Sequence, residues 1–164
     1  PRSTRYETLF PYTTLFDLHI HDADFVHYLF GMPDEIVSTG SRAHVTTMYR
    51  FKNGPAHVVA EGGWDQAEGF GFRMRYTVVF EHATAEFDLS RSPRLLLSRG
   101  EDSDPVPIDD VLTGYDGEVR AAIDGVARCE KKPVLTMDDA AGVTRLLDCE
   151  LTSLRTGRRV EVGT

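Results

Sequence analysis

An alternation of apolar and polar residues between about residue 34 and residue 98 constrains the fold of this chain more than any other feature. In the segment RMRYTVVF (residues 73–80), every second residue is apolar, and the segment TAEFDLS (residues 84–90) alternates in the same way. A period of two residues is typical of strands that bury one face. The segments HVTTMYRF and HVVAEGGW add the β-branched and aromatic residues that strands favour.

Turn residues divide this region into short strands. Asn53-Gly54 lies between the last two segments and is a strong signal for a β-hairpin. Five or six strands with short links predict a mainly antiparallel sheet. The acidic stretch GEDSDPVPIDD, residues 100–110, contains two prolines, and we predict that it is a loop.

Helical spacing replaces this alternation on both sides of the predicted sheet. A helix is predicted over residues 17–31, because Gly31 and the following Pro33 supply a stop signal. Two later apolar stripes predict two further helices: Val119, Ala122, Ile123 and Val126 form the first, and Val143, Leu146, Leu147, Leu151 and Leu154 form the second.

Capping signals define the ends of the last helix. Thr136 and Asp139 resemble a capping box, and Gly157 stands where a C-cap glycine would. Residues 158–162 are then predicted to form a last short strand. A helix, a sheet and further helices indicate an α+β fold, with a mainly antiparallel open sheet and the helices packed on one face.

Composition limits the class of partner. The chain has 164 residues, of which 41% are hydrophobic, and we expect one domain with one ordinary core. Its net charge of −8 argues against a nucleic-acid or anionic-membrane partner. No apolar run approaches the length of a membrane span. Cys129 and Cys149 lack metal-ligand spacing, so we expect a reduced pair in the cytoplasm.

The densest group of chemically active side chains is HIHDAD, residues 19–24. If the segment is helical, Asp17 and His21 lie one turn apart on one face, with Asp24 three residues beyond His21. A carboxylate beside an imidazole suits a general base. If the segment is a strand, His19 and His21 share a face and could hold a divalent metal ion for hydrolysis. A helix start that is merely rich in acids is a third interpretation.

The segment DLHIHDADFVHYLFG, residues 17–31, resembles the D-x-G-x-H-x-x-D segment of the Gfo/Idh/MocA family, the glucose–fructose oxidoreductase and inositol dehydrogenase family. The resemblance continues through residues 58–88 and 115–162. It implies the C-terminal domain of an NAD(P)-dependent oxidoreductase that acts on a sugar, cyclitol or similar polyol, with a dihydrodipicolinate-reductase-like fold. It also implies that this domain supplies substrate contacts and a homo-oligomer interface on the open face of the sheet.

The resemblance assigns roles to three residues. His21 matches the catalytic histidine, which takes the alcohol proton as hydride leaves, and Asp17 matches its acidic partner, which also contacts substrate. His19 stands where the commoner pattern has glycine, and we predict that it contributes to the substrate site. A non-catalytic assembly module remains an alternative to catalysis.

The same resemblance implies a Rossmann domain that binds NAD or NADP and that would precede Asp17. Residues 1–16 share no pattern with the family and resemble translated sequencing-adapter sequence, although a divergent N-terminal strand is an alternative. We therefore expect residues 1–16 to be a non-native leader and residues 17–164 to be the C-terminal domain alone. On this basis we expect no turnover from the chain by itself.

Overall fold

In the computed structural model of the protein, residues 19–108, 113–128 and 136–163 are described. Asp17, Cys129 and residues 1–16, which are predicted to be a non-native leader, lie outside these ranges. The described chain divides into two compact units. The first contains residues 19–66 and 136–163, and the second contains residues 67–108 and 113–128.

Three α-helices, one short 3₁₀ helix (Glu68–Phe70) and eight strands make up the described fold. Along the chain the α-helices and strands are α1 (Ile20–Phe30), β1 (Glu35–Gly40), β2 (His44–Arg50), β3 (Val58–Gly63), β4 (Arg75–Val79), β5 (Thr84–Asp88), β6 (Leu95–Arg99), β7 (Asp102–Pro105), α2 (Gly114–Ala127), α3 (Met137–Thr156) and β8 (Val160–Glu161).

The sheet of the first unit is antiparallel throughout, in the order β3-β2-β1-β8. Strands β2 and β3 pair with Tyr49 opposite Val58, so the hairpin predicted at Asn53-Gly54 is confirmed. Its connection spans residues 51–57 instead of two residues.

The core of the first unit lies between its sheet and the two helices α1 and α3. Ile36 and Tyr49 point from the sheet into this core, where they meet Val26 of α1 and Leu146 of α3. Full burial of a side chain such as Leu146 contributes about 1.5–3 kcal/mol. The opposite face of the sheet is exposed at Val37 and its neighbours, so the helices cover one face, as predicted.

The predicted signals for α3 are confirmed. The Thr136 hydroxyl accepts a bond from the backbone N–H of Asp139 at 3.2 Å, while the Asp139 carboxylate accepts one from the backbone N–H of Thr136 at 2.8 Å. Gly157 ends the helix with φ of 63°, a left-handed conformation that glycine adopts without strain. The short strand predicted after it is β8, which pairs with β1.

The second unit contains a separate antiparallel sheet in the order β4-β5-β6-β7. The predicted alternation is visible in β4, where Tyr76 and Val78 are half-buried and their neighbours are exposed. Tyr76 stacks on Phe87 of β5 with ring centroids 5.1 Å apart. The predicted helix α2 is present, but its apolar stripe, including Val119 and Ile123, is exposed.

The prediction of a loop over residues 100–110 is wrong for Asp102–Pro105, which form β7. This strand pairs with β6 through a tight turn at Gly100, whose φ is 60°. An edge strand tolerates charged residues and a terminal proline because one side of its backbone needs no partner strand. The acidic composition therefore reflects an exposed edge.

Candidate functional site

Helix α1 has two chemically different faces. His19, Ala23 and Val26 recur at helical spacing and are all buried against the first unit. His21 follows His19 by two residues, about 200° around the helix, and is exposed. The HIHDAD segment thus separates its two histidines between the core and the solvent.

The predicted catalytic pair is only partly described. His21 lies in the first turn of α1, and Asp24 follows on a nearby part of the surface and is half-buried. Asp17 lies outside the described residues, so the contact between Asp17 and His21 stays a prediction. The helical assignment itself agrees with the acid–base interpretation of the segment.

His19 occupies a buried polar network. Its side chain is 1% exposed, and its Nδ1 lies 3.3 Å from Oδ2 of Asp22. Its Nε2 lies 3.3 Å from Oε2 of Glu150, a residue of α3 with no exposed surface. The Tyr49 hydroxyl of β2 donates a 2.7 Å bond to Oε1 of Glu150 and lies 3.4 Å from Nε2 of His19.

The network favours a protonated His19. Burial opposes the charged imidazole, but the carboxylates of Asp22 and Glu150 outweigh that effect and raise the pKa of His19 to about 9. Burial, together with the charge of Glu150, raises the pKa of Tyr49, so the phenol stays protonated. The site therefore holds a cationic imidazole near two carboxylates.

Two atoms of this network are held by charge and lack a well-aligned hydrogen bond. His19 Nδ1 and Glu150 Oε2 are buried, and no residue in the described part of the chain offers either atom a partner that meets hydrogen-bond geometry. Their 3.3 Å contacts qualify by distance as ion pairs. His19 presents almost no surface to a ligand in the described structure, so its predicted substrate contact stays a prediction.

Gly62 of β3 explains how α1 approaches the sheet so closely. A Cβ atom at this position would lie 3.0 Å from Oδ2 of Asp22 and 3.5 Å from Nδ1 of His19. A side chain here would therefore press against the network. Sequence reasoning missed Glu150, Tyr49 and Gly62 as parts of this site. The signal in the sequence that could have identified this site was Glu150, an acidic residue within the apolar stripe of α3.

A second histidine cluster lies on the surface of the same unit. His44 is 33% exposed, and its Nδ1 and Nε2 lie 2.8 Å from Asp65 and Glu61 respectively. The hydrogen bonds to Glu61 and Asp65 raise the pKa of His44. This cluster joins the ends of β2 and β3.

The described residues give no support to the metal interpretation. That interpretation requires a strand at HIHDAD, whereas residues 20–24 are helical. Within residues 19–108, 113–128 and 136–163, no three histidine, cysteine, aspartate or glutamate side chains converge as metal ligands. Cys149 is a free, half-buried thiol.

Comparisons based on sequence identify no relative. No protein-family model matches the chain, and no curated protein sequence is significantly similar to it. None of the helices in the described part of the chain is both long and apolar enough to span a membrane.

Comparison with solved structures identifies the fold. Levoglucosan dehydrogenase, in complex with NADH and L-sorbose, matches 96% of this chain with a TM-score of 0.73 at 18% identity. Aldose-aldose oxidoreductase from Caulobacter crescentus, with glycerol, matches 94% with a TM-score of 0.74 at 16% identity. An oxidoreductase from Agrobacterium radiobacter, in complex with NAD+, L-tartaric acid and magnesium, matches 91% with a TM-score of 0.69 at 16% identity.

The chain spans about half the length of these proteins: 52%, 49% and 49% respectively. The match confirms the α+β fold that the Gfo/Idh/MocA resemblance predicts. This chain therefore has the fold of about half of each of three oxidoreductases, two of which are in complex with NADH or NAD+.

Proposed function

We propose that this chain is the C-terminal substrate-binding and oligomerisation domain of an NAD(P)-dependent oxidoreductase. The observation that carries the proposal is the fold match to three oxidoreductases over more than nine-tenths of the chain. The DLHIHDAD motif supports it, because that motif leads into the helix expected from the family resemblance.

In the proposed reaction, a secondary alcohol carbon of the substrate loses hydride to the nicotinamide ring, and the alcohol oxygen loses its proton. His21 accepts that proton as general base, and Asp17 orients His21 and the substrate. The exposure of His21 on the solvent face of α1 supports this role, because a general base must reach the substrate.

We propose that NAD or NADP is held by a Rossmann domain. Among the residues that the structure describes, no strand leads through a glycine-rich turn into a helix, which is the usual cradle for a dinucleotide. The described residues do not fit the cofactor. They are proposed to act on the substrate side, and the chain alone is expected to be inactive.

The proposed substrate is a sugar, a cyclitol or a related polyol. L-Sorbose, glycerol and L-tartaric acid accompany the similar structures, and each carries a secondary alcohol. L-Sorbose and glycerol are neutral, and an acidic chain does not repel a neutral polyhydroxylated ligand. A cytoplasmic location stays a prediction.

We also propose that the protein forms homo-oligomers through the open face of the sheet in the first unit. Val37, Met48 and Val59 lie side by side across β1, β2 and β3 and are exposed. Such a row of apolar side chains is typical of an interaction surface. Met48→Lys should lower the oligomeric state in light scattering, and Thr152→Lys, on the exposed side of α3, should not.

The test of catalysis uses the longer protein that contains this domain together with its cofactor domain. NAD(P)+-dependent oxidation should be measured for a panel of sugars and cyclitols. His21→Ala should lower kcat by roughly 10²–10⁴-fold, the usual contribution of a general base. Asp17→Asn should also lower it.

His57→Ala provides the matched control, because His57 is exposed in the loop before β3. It should leave kcat unchanged. Unchanged rates for His21→Ala and Asp17→Asn would instead support the non-catalytic assembly module. Reduced NAD formed by the purified chain alone would contradict the proposed division of labour between two domains.

A further inference from the structure

Glu150 is an unusual residue for its position on α3. It lies within the apolar stripe that includes Leu146, Leu147 and Leu151, and its side chain has no exposed surface. A carboxylate buried among leucines is strongly destabilising unless charged or hydrogen-bonding groups compensate. The partners of Glu150 therefore indicate why an acid occupies this position.

Those partners lie on two other elements of the same unit. Tyr49 of β2 donates a hydrogen bond to one carboxylate oxygen at 2.7 Å, and the imidazole of His19 lies 3.3 Å from the other. His19 is the N-cap residue of α1, directly before Ile20. Glu150 consequently connects α3 and the central strand β2 to the start of α1.

Within the described residues, the start of α1 shows no capping box of the kind that begins the other two helices. Both α2 and α3 begin with a capping box, in which Thr113 pairs with Asp116 and Thr136 pairs with Asp139. His19, at the N-cap of α1, makes no side-chain capping bond. Because no side-chain cap holds this end among the described residues, we expect the other contacts of His19 to fix the turn.

We propose that Glu150 is a positioning residue, which acts through the buried imidazole of His19 to fix the first turn of α1 and the direction in which His21 projects. Side chains turn by about 100° per helical residue, so a shift of the first turn by one residue would redirect His21 by that angle. The consequence for catalysis rests on the proposed function, but the positioning does not.

The first test measures the chain itself by NMR. The imidazole of His19 should be titrated in the wild-type chain, in Glu150→Gln and in the control Asp148→Asn. The control removes an exposed carboxylate that precedes Glu150 by two residues in α3. Amide hydrogen exchange should be followed in α1 and in β2. Glu150→Gln should lower the pKa of His19 by at least about one unit, since one of two stabilising carboxylates is lost.

Glu150→Gln should also speed amide exchange in α1 and in β2 by different factors. The factor in the first half of α1 should be at least about ten times the factor in β2. Asp148→Asn should change neither quantity. Equal acceleration in α1 and β2 would mean that Glu150 only stabilises the fold, and it would overturn the proposal. An unchanged pKa for His19 in Glu150→Gln would do the same.

A milder variant keeps the proposal testable if Glu150→Gln does not fold. Tyr49→Phe retains the ring and removes only the hydroxyl that bonds Glu150, so it should speed exchange in α1 by a smaller factor. An unchanged rate of amide exchange in α1 of Tyr49→Phe would overturn the proposal. A wild-type chain in which His19 loses its proton at or below pH 6.5 would also overturn it.

The second test uses the longer protein. Glu150→Gln should lower kcat at least tenfold with little change in KM, because a misdirected His21 affects the proton transfer more than substrate binding. Asp148→Asn should leave both parameters unchanged. If the longer protein oxidises no polyol, the proposed function fails, while the NMR result still decides whether Glu150 positions α1.

Discussion

His19 and His44 each lie near two carboxylates, yet the structure places them in opposite environments. The surface histidine has the shorter contacts, at 2.8 Å to both Glu61 and Asp65, compared with 3.3 Å around His19. His44 is 33% exposed and His19 is 1% exposed. Exposed ion pairs contribute about 0–1 kcal/mol, whereas loss of one partner from a buried pair costs about 3–5 kcal/mol. We therefore expect burial, more than distance, to decide which histidine contributes more to the free energy of unfolding.

The two clusters also differ in what they connect. The partners of His44 come from β3 and the residues just after it, so a single hairpin brings the cluster together. The partners of His19 come from α1, β2 and α3, and the Tyr49–Glu150 bond alone joins residues 101 positions apart. The buried cluster therefore depends on the completed fold of the first unit.

The largest effect should come from Glu150. Glu150→Gln leaves the cationic His19 without its buried counter-charge and should lower the free energy of unfolding by about 3 kcal/mol or more. Urea unfolding of the chain, with Asp148→Asn as the control, measures this loss. A cost below about 1 kcal/mol would make the buried cluster equivalent to a surface pair and remove the contrast with His44.

A smaller effect should follow from pH. The pKa of His19 is raised from 6.5 to about 9, so its stabilising contribution is complete below pH 6.5 and is lost as the pH rises through about 9. The free energy of unfolding should fall by up to about 3 kcal/mol over this range. Urea unfolding at pH 6, 7.5 and 9 measures it.

His19→Gln serves as the reference for that pH series, because its unfolding energy should change less between pH 6 and 9. If the free energy of unfolding falls equally with pH in the wild-type chain and in His19→Gln, groups other than His19 cause the pH dependence.

The smallest effect should come from the surface cluster. His44→Gln removes the imidazole between Glu61 and Asp65 and should lower the free energy of unfolding by at most about 1 kcal/mol. Because exposed charges are screened, this difference should shrink between 0.05 M and 1 M NaCl, where the Debye length falls to about 3 Å. A larger loss that is insensitive to salt would show that exposure does not weaken the cluster.

Local sequence patterns predicted most of the elements. Alternation predicted β4 and β5, and the capping residues Thr136 and Gly157 placed the two ends of α3. These signals succeed because each depends on a few neighbouring residues. Local spacing and stop signals also predicted the helix that contains HIHDAD. In that helix His19 and His21 lie on different faces, whereas a strand would have placed them on one face.

The remaining features depend on contacts that local patterns do not contain. The strand at Asp102–Pro105 has an acidic sequence, and only pairing with β6 makes it a strand. The stripe of α2, which includes Val119 and Ile123, has the same periodicity as that of α3, yet it is exposed. Glu150 could be flagged as an acid in an apolar stripe, but its pairing with His19 follows from the tertiary fold.

The glycine at position 62 lets β3 and the start of α1, which are distant in sequence, approach closely. Its missing Cβ leaves the space in which Asp22 and His19 approach the sheet. A Cβ atom at position 62 would lie 3.0 Å from Oδ2 of Asp22, which is tighter than ordinary contact, but 3.5 Å from Nδ1 of His19, which is ordinary contact. Larger residues at position 62 should therefore appear mainly in relatives that have a smaller residue at position 22, so these two positions should vary together.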